Sequence, residues 1–410
     1  MHLKNRILLI CIVCLIMVPA IALAEANESY RLRAITIEGL KRTKESVIRS
    51  NIPFEIGDMI SPQDSEIITE QLERTDLFAQ VAVNLIPQPS GQDAELSVYL
   101  EEKWTLIPVP YFASDGEKFR GGLFLIESNL LGYQKFLLTA LYGSTDGLRG
   151  LLVFSDPATL NRPWSYTVTG GFGRASYVMQ TDPANTVRSY TADYRNIGVG
   201  IGYTYKNFTA EGTIGYQTWE FDSVSPALFP DLSSYLEPEL TLSYENTYLH
   251  DVLPIGIESD ANARTLIMEN GWEISGSFSW STLLGEQVRL RLLTSGGIGD
   301  MPLFAETAID AQDGYRTLPF KASSADQWLS AAAACDIPVL KTSWSVITIS
   351  PYFEIGRYGN ELIALRPFYG PGIGSRVYLR KIAIPAMGVD VAYNLHDAFW
   401  SFSITVGVQM

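Results

Sequence analysis

The sequence has few charged residues, few cysteines and histidines, and no long apolar run beyond its N-terminus. Charged residues make up 18% of its 410 residues, against about 25% in typical soluble proteins. Beyond residue 24, every apolar run is shorter than the ~20 residues that a membrane helix needs. If this chain enters a bilayer it must do so as strands, and strands are stable there only when their sheet closes.

Residues with catalytic or metal-binding chemistry are equally scarce. His250 and His396 are the only histidines beyond residue 24, and neither lies in a cluster with metal-ligand spacing. No serine occupies a Gly-x-Ser-x-Gly elbow, and the glycine-rich run at 295–297 lacks the Gly-Lys-Ser/Thr ending of a phosphate loop. We therefore expect no catalytic, metal or cofactor site and no enzymatic activity.

Residues 1–24 have the pattern of an export signal. Two basic residues precede an apolar stretch from Ile7 to Val18, and Ala22-Leu23-Ala24 is a small-residue cleavage site. An uncleaved anchor helix is the alternative. Cleavage would leave Cys335 as the lone cysteine, so no internal disulfide is expected.

The chain is strongly acidic. Loss of the two basic residues of the signal would change the formal net charge from −15 to −17. Negative charge of this size repels phosphate backbones, so we expect no nucleic-acid partner.

Residues 25–103 predict a small α+β domain of order β-α-α-β-β. Thr43 and Ser61 are suitable helix N-caps, and Pro62 suits the first position of a helix. The expected elements are a strand at 33–40, a helix at 44–50, a turn at Gly57-Asp58, a helix from Pro62, and strands at 79–85 and 95–100. Such a sheet has an exposed edge that can accept an extended peptide, or the domain is only a lid or spacer.

Residues 104–410 predict an all-β antiparallel transmembrane barrel. Fifteen strands can be identified, one of them at 266–277, and a barrel whose two ends face the same side needs an even number. We therefore predict sixteen strands, with the missing one between 176 and 200; twelve or fourteen are alternatives.

Alternation along the strands separates polar from apolar side chains, as in a membrane barrel. Arg289 and Arg291 share one face of their strand, and Asp390 points away from its valine neighbours. A secreted all-β protein would also alternate, but it would not keep its charge low for three hundred residues. Aromatic residues near strand ends predict an interfacial girdle, namely Trp344, Tyr352, Trp400 and Phe402.

The run "ITIEGLKRTKESVIRSNIPFEIGDMIS", followed by "QLERTDLFAQVAVNL", resembles a POTRA domain, the polypeptide-transport-associated module. The residues that carry this resemblance are Gly39, Gly57, Asp58, Phe78 and Val81. Asp76 stands where the family often has glycine. The resemblance covers residues 33–100 and implies a periplasmic domain that handles other polypeptides.

Further segments resemble the BamA/TamA family of outer-membrane insertases and transporters. They are "EEKWTLIPVPYF" at 101–112, "ESNLLGYQ" at 127–134, "YRTLPF" at 315–320, "PYFEIG" at 351–356 and the ending from Gly370. Together with the POTRA-like region, they extend the resemblance over most of the chain.

The resemblance implies that the loop holding Arg316 folds back into the barrel lumen. Arg316 would then meet Glu354 on the wall, with Asp390 or Asp336 as a second partner in a charge-assisted pair. The alternative is a solvated loop arginine. Thr317 replaces the glycine of the family's loop motif, and Glu354 replaces its usual aspartate.

The resemblance also implies a gate between the first and last strands. Pro108 and Pro110 in the first barrel strand favour such a seam, because proline removes ladder donors and belongs at sheet edges.

The function that this implies is capture of client polypeptides by the POTRA domain, followed by their insertion or export through the barrel, without a cofactor. The implied partners are unfolded outer-membrane or secreted polypeptides, outer-membrane lipids, and periplasmic or lipoprotein partners. The barrel would lie in the outer membrane and the POTRA domain in the periplasm. The alternative is a passive channel or structural barrel, which the altered loop motif and Met410 in place of a terminal aromatic residue favour.

Overall fold

The computed structural model describes residues 29–406 except 90, 115–118, 145–146, 158–162, 181–186, 224–231, 286, 303–304, 310–313, 319–322, 362–363 and 382–386. The predicted signal peptide lies outside these residues. The described part of the chain contains a four-stranded sheet with two helices, a sixteen-stranded sheet and a two-stranded sheet. Neither of the two helices is long and apolar enough to cross a membrane.

The N-terminal sheet has the strand order β2-β1-β4-β3. Its elements are β1 (Tyr30–Glu38), α1 (Glu45–Ser50), β2 (Met59–Ile60), α2 (Pro62–Glu73), β3 (Phe78–Pro87) and β4 (Asp93–Glu102). β1 and β4 are parallel, and the other pairs are antiparallel. The order is therefore β-α-β-α-β-β. The sequence missed β2 because this strand has two residues, too few for a period-two pattern.

Apolar side chains on one face of this sheet and on both helices form the domain's core. Leu32 on β1, Ile48 on α1, Ile68 and Leu72 on α2, and Leu96 on β4 are fully buried. Helix α2 begins at Pro62 as predicted, and the Asp64 carboxylate accepts the backbone N–H of Ser61 at 2.7 Å.

The predicted N-cap of α1 is wrong. The N-cap is Lys44, and the Thr43 hydroxyl instead accepts a hydrogen bond from Asn129 Nδ2 at 2.9 Å. Asn129 belongs to the second strand of the large sheet, so a contact between domains takes the hydroxyl that a local cap would have used.

The large sheet is antiparallel throughout, and each strand pairs with its neighbour along the chain. Its strands are β5 (Leu106–Ser114), β6 (Phe119–Leu130), β7 (Lys135–Ser144), β8 (Gly147–Asp156), β9 (Trp164–Gln180), β10 (Val187–Tyr205), β11 (Phe208–Ser223), β12 (Leu232–His250), β13 (Leu253–Leu266), β14 (Gly271–Leu284), β15 (Val288–Asp300), β18 (Gln327–Lys341), β19 (Ser345–Gly359), β20 (Arg366–Leu379), β21 (Met387–Asn394) and β22 (Phe399–Val406). The strands β16 (Thr307–Ile309) and β17 (Ser323–Ala325) pair separately in the loop between β15 and β18. The predicted number of sixteen strands is confirmed.

The predicted position of the missing strand, between 176 and 200, is wrong. Residues 187–198 are the first part of β10, and the missed strand is β13. The outward side of β13 carries Ala261 and Ala263, which give a weak apolar signal beside the inward Asn262 and Arg264. The predicted strand at 266–277 therefore ran across the turn between β13 and β14.

The strands place polar side chains inside the barrel and apolar ones outside, as predicted. Asp390 is 1% exposed, whereas its neighbour Val389 is 43% exposed on the outer surface. Trp344 and Trp400 also lie on the outer surface. Tyr352 is the exception to the predicted girdle: its side chain is buried and contacts Arg316 inside the barrel.

The segment of the small domain that contacts the barrel, residues 41–44, is held in place by a carboxylate of the same domain. Glu102 accepts hydrogen bonds from the N–H groups of Lys41, Arg42 and Thr43 at 3.1, 2.9 and 2.8 Å. The Arg42 guanidinium continues to Glu127 on β6, with Nη2 2.9 Å from Oε2. These contacts fix the direction in which the chain leaves the small domain and enters β5.

The turn after β6 completes this junction. Gly132 accepts the N–H of Lys44 at 2.9 Å, and its φ of +81° is in the region that favours glycine. A Cβ at Gly132 would lie 2.2 Å from the carbonyl oxygen of Arg42. The segments at 101–112 and 127–134, which carry part of the family resemblance, thus meet where the two domains join.

We expect Glu102→Ala to loosen the junction. Amide hydrogen exchange at residues 41–43 of the full-length protein in detergent micelles should accelerate about tenfold or more, because hydrogen bonds to a charged group contribute about 1.5–3 kcal/mol. Glu101→Ala is the matched control, since Glu101 bonds to Lys381 on the surface. Equal acceleration in both variants would contradict the role of Glu102.

The same junction should depend on pH. Burial raises the pKa of Glu102, but the hydrogen bonds from Thr43, Lys41 and Arg42 outweigh this and hold the pKa below its ordinary value. The contribution of Glu102 to stability is therefore complete above about pH 4.3, the pKa in an unfolded chain. It should be lost as the pH falls through the lower folded-state pKa, and exchange at 41–43 should then become insensitive to Glu102→Ala.

Candidate functional site

The loop between β15 and β18 folds into the barrel and buries residues 315–318. Tyr315 packs edge-on against Phe368 of β20, with 6.0 Å between the ring centroids. Further apolar members of this cluster are Ile309, Leu318, Ala325, Trp328 and Tyr358. Pro319 and Phe320, the end of the predicted loop motif, lie outside the described residues.

The backbone of the loop is held by side chains from three strands. Glu354 of β19 accepts hydrogen bonds from the N–H and the hydroxyl of Thr317 at 2.8 and 2.6 Å. Asn394, at the end of β21, donates to the Thr317 carbonyl at 3.0 Å, and the Ser401 hydroxyl of β22 donates to the Arg316 carbonyl. The loop is therefore tied to the last strands of the sheet.

The side chain of Arg316 lies inside the barrel, but its carboxylate partner differs from the first predicted one. Its Nη1 is 3.4 Å from Asp390 Oδ1, and its guanidinium lies 4.7 Å from the centroid of the Tyr352 ring. Glu354, predicted to pair with the guanidinium, instead bonds to Thr317. Two departures from the family pattern explain this: glutamate reaches further than aspartate, and threonine adds a donor that glycine lacks.

Asp390 is shared with a second arginine that the sequence reading missed. Arg376 of β20 is fully buried, and its Nη2 lies 3.1 Å from Oδ1 and 2.9 Å from Oδ2 of Asp390. In the sequence, the alternation of Arg376 with apolar residues in "GSRVYL" could have indicated that its side chain points into the barrel. The contact of Arg316 with Asp390 is long because the guanidinium of Arg376 already lies against the same carboxylate.

Asp336, the other predicted partner of Arg316, lies in a separate charge cluster. Its carboxylate is 2.7 Å from Nε of Arg289 and 2.7 Å from Nε of Arg291, and it accepts the Ser350 hydroxyl at 2.6 Å. Arg289 and Arg291 therefore point into the barrel, as predicted, and pair there with Asp336. Asp336 does not contact Arg316 and is not a loop anchor.

The strands β5 and β22 are the two ends of the sheet order. Among the described residues, ladders join β5 to β6 and β22 to β21, and none joins β5 to β22. Pro108 and Pro110 lie in β5, opposite Leu125 and Leu123 of β6, and both prolines are exposed.

The start of β5 nevertheless lies beside the turn after β20. The N–H of Trp104 donates to the Lys381 carbonyl at 2.8 Å, and Lys381 Nζ donates to Glu101 at 2.6 Å. This contact joins the start of β5 to the residues just after β20, at the end of the barrel that faces the small domain.

The predicted motif residues of the small domain have structural roles. Gly39 has φ +90°, and a Cβ there would lie 1.9 Å from the Leu100 carbonyl oxygen. Asp58 accepts the N–H of Glu55 through its side chain at 2.8 Å and stabilises the turn at Gly57, which has φ +108°. Phe78 is buried in the core, and Val81 packs against it.

The chemistry available in the lumen is that of charge pairing and hydrogen bonding. In the described part of the chain, no group of three His, Cys, Asp or Glu side chains is placed to hold a metal ion.

Comparison with known proteins agrees with this architecture. Residues 30–103 match the POTRA family, described as a surface antigen variable number repeat. No curated protein matches the chain. BamA from Haemophilus ducreyi lacking POTRA domains 1–3 is similar with a TM-score of 0.57 and 13% identity, over 92% of this chain and 84% of that one.

Two CdiB structures are also similar. CdiB from Acinetobacter baumannii has a TM-score of 0.62 at 12% identity, over 92% of this chain and 74% of that one. CdiB from Escherichia coli has a TM-score of 0.61 at 12% identity, over 92% and 75%. Residues 30–103 are therefore a POTRA domain, and the chain has the POTRA-plus-barrel fold of the BamA type.

Proposed function

We propose that this protein is an outer-membrane assembly or translocation factor. The POTRA domain, lying in the periplasm, captures an extended client polypeptide, and the client is inserted or exported through the barrel where β5 faces β22. The observation that carries this proposal is the sheet order, in which β5 and β22 are terminal strands with no described ladder between them.

The prolines of β5 support a weak seam. Pro108 and Pro110 are two residues apart, so their nitrogens face the same edge of the strand. The register of β5 with β6 runs without a shift from Leu106 to Ser114. The proline nitrogens, which carry no hydrogen, therefore suit the edge of β5 that faces β22. There they would reduce the number of hydrogen bonds between β5 and β22 and so lower the free energy needed to separate these strands.

The two sides of this seam are attached to different parts of the molecule. β6 is joined to the POTRA domain by the ion pair of Arg42 with Glu127, and Glu102 fixes the POTRA segment that carries Arg42. β21 and β22 are joined to the lumen loop through Asn394 and Ser401. A displacement of the POTRA domain by a bound client would therefore pull on one side of the seam while the loop braces the other.

Capture of the client is expected at β3. This ten-residue strand is an edge of the POTRA sheet, whereas the opposite edge strand, β2, has two residues. An edge of this length offers unpaired backbone groups to an extended peptide.

Placement in a membrane is supported by tryptophans near both ends of the barrel, all exposed on its outer surface. Trp104, Trp164 and Trp344 lie near the end that faces the POTRA domain, and Trp272 and Trp400 near the other end. Indole rings favour the two membrane interfaces.

A passive channel is the second candidate. It is favoured by a polar cavity of about 600 Å³ in the lumen, whose charged lining residues are Glu237, Glu239, Arg264, Glu273 and Glu306. The excess of carboxylates would favour cations, and conductance of the purified protein in a planar bilayer tests this. Cation-selective current that Glu239→Gln reduces would support a channel.

A disulfide across the seam tests the proposed gate. In a Cys335→Ser background, we expect Pro110→Cys with Phe402→Cys to abolish client assembly when oxidised and to restore it under reductant. The measurement is quantitative proteomics of outer membranes from cells with this variant as their sole copy. Trp400→Cys replaces Phe402→Cys if the first pair does not cross-link.

A second disulfide controls for effects of cross-linking itself. Leu242 and Ala261 are opposite each other in the β12–β13 ladder, and both face outward, so Leu242→Cys with Ala261→Cys should form a bond without effect on assembly. Normal assembly by the oxidised seam variant would refute the gate.

The loop anchor is tested by two buried Thr→Val changes. Thr317→Val removes the hydroxyl that donates to Glu354 and should destabilise the barrel by about 1–3 kcal/mol. Thr348 is also fully buried, but its hydroxyl has no hydrogen-bond partner among the described residues, so Thr348→Val should be neutral or stabilising. The measurement is the midpoint of heat-induced mobility change on electrophoresis.

Comparing Thr317→Val with Thr348→Val distinguishes loss of the hydrogen bond to Glu354 from a general disturbance of side-chain packing. A lower midpoint for Thr317→Val alone supports the anchor, and equal shifts for both variants would mean that only side-chain packing was disturbed.

A further inference from the structure

The four strands β5–β8 are apolar on both faces. On the outer face, Leu123, Leu141 and Leu152 are exposed, as expected for a surface in contact with lipid. The residues between the outward ones are also apolar, which gives the continuous runs "LFLI" at 123–126, "FLL" at 136–138 and "LLVF" at 151–154. Strands with such runs are normally covered on both faces, so the inner face of β5–β8 requires an apolar cover.

The register of the ladders places the intervening residues on the lumen side. Residues opposite each other in neighbouring strands share a face of the sheet. One row of opposite residues runs from Val109 through Phe124, Ala140, Leu151, Gly171, Asn196 and Gln217 to Tyr235. Gln217 and Tyr235 line the larger lumen cavity, so the whole row lies inside the barrel.

Two neighbouring rows form an apolar patch on the inner wall of β5–β8, which we call the inner patch. Both rows contain only apolar residues on these four strands. The patch is about 14 Å wide, since four neighbouring strands span three spacings of about 4.8 Å. Its partly exposed members are Ile107, Phe124, Ile126, Leu138, Leu151 and Val153.

On other strands the inner wall carries polar and charged side chains. The row through Val109 reaches Gln217 on β11, and the row through Leu138 reaches Glu237 on β12. The inner face of β15 carries Arg289 and Arg291. The inner patch is therefore a local feature of the strands that begin at the seam.

At β5 the inner patch is continuous with the outer surface of the barrel. β5 is a terminal strand with no described ladder to β22. Pro108 and Pro110 are exposed on its outer side, and Val109 between them is buried on its inner side. Across the seam, the inner side of β22 is polar, because Ser401 there bonds to the Arg316 carbonyl. The apolar surface therefore passes round the edge of β5 only.

Hydrocarbon chains suit the inner patch better than a polypeptide or water does. The backbone N–H and C=O groups of β6 and β7 are paired in ladders on both sides, so they offer no hydrogen bonds to an extended peptide laid across them. Water would leave the apolar side chains hydrated, which is unfavourable. An acyl chain needs no hydrogen bonds and covers apolar surface.

We propose that the inner patch binds acyl chains of membrane phospholipids, which enter from the bilayer through the seam between β5 and β22. This inference rests on the seam of the proposed function but not on client capture. Lipid on the inner patch covers the second apolar face of β5, so this strand can separate from β22 without exposing apolar side chains to water.

Fluorescence quenching at single labelled sites tests this proposal. A bimane label is attached to one cysteine in a Cys335→Ser background, and the full-length protein is reconstituted into phosphatidylcholine vesicles. The quencher is phosphatidylcholine with a nitroxide on its acyl chain. Leu138→Cys places the label on the inner face of β7, and Leu141→Cys places it on the outer face of the same strand. We expect the lipid to quench Leu138→Cys at least half as strongly as Leu141→Cys.

Thr241→Cys is the matched control for a lumen position outside the inner patch. Thr241 lies opposite Asn262, which lines the larger lumen cavity, so a label there should be quenched by aqueous iodide and not by the lipid. Folding of each variant is checked by heat-induced mobility change, and Val153→Cys replaces Leu138→Cys if the latter does not fold.

Two outcomes would overturn the proposal. Quenching of Leu138→Cys by iodide alone would mean that water fills the space before the inner patch. Protection from both quenchers would mean that a protein segment covers it. Because the vesicles contain no client, either outcome would refute lipid binding and leave the gate itself to the disulfide test.

Discussion

The arrangement of the lumen depends on hydrogen bonds to two buried peptide units. At Arg316 and Thr317 the loop enters a space closed to bulk water, where an unpaired carbonyl or N–H is costly. Glu354, Asn394 and Ser401 satisfy these groups, and each comes from a different strand. The loop can therefore occupy this position only when β19, β21 and β22 are in register. The loop is therefore anchored only after the last strands have assembled.

The junction at Glu102 imposes a comparable constraint at the other end of the sheet. Three backbone N–H groups converge on one carboxylate, and Arg42 extends the contact to Glu127 on β6. Because this network and the loop anchor share no residue, the first and the last strands are held by independent sets of contacts. Under the proposed function, that separation would let the seam open without unfolding either side.

The fold was more predictable than the site. Period-two alternation and the requirement for an even strand number led to sixteen strands, although β13 was missed because its outward face carries Ala261 and Ala263. The partner of Arg316 could not be found in this way. It depends on competition between Arg376 and Arg316 for Asp390, and these three residues lie on different strands or in the loop. The local sequence shows which residues are charged, but it does not show which arginine pairs more closely with Asp390.

Thr317 and Glu354 both depart from the family pattern, and their contact changes what the departures mean. Taken one at a time, each substitution would weaken the resemblance and favour a barrel that has lost its activity. In the structure, the added hydroxyl of Thr317 and the longer side chain of Glu354 meet at 2.6 Å, so the two changes compensate each other. The wall carboxylate then holds the backbone of the loop and no longer pairs with its arginine. An altered motif that keeps the loop anchored is therefore weak support for a passive barrel.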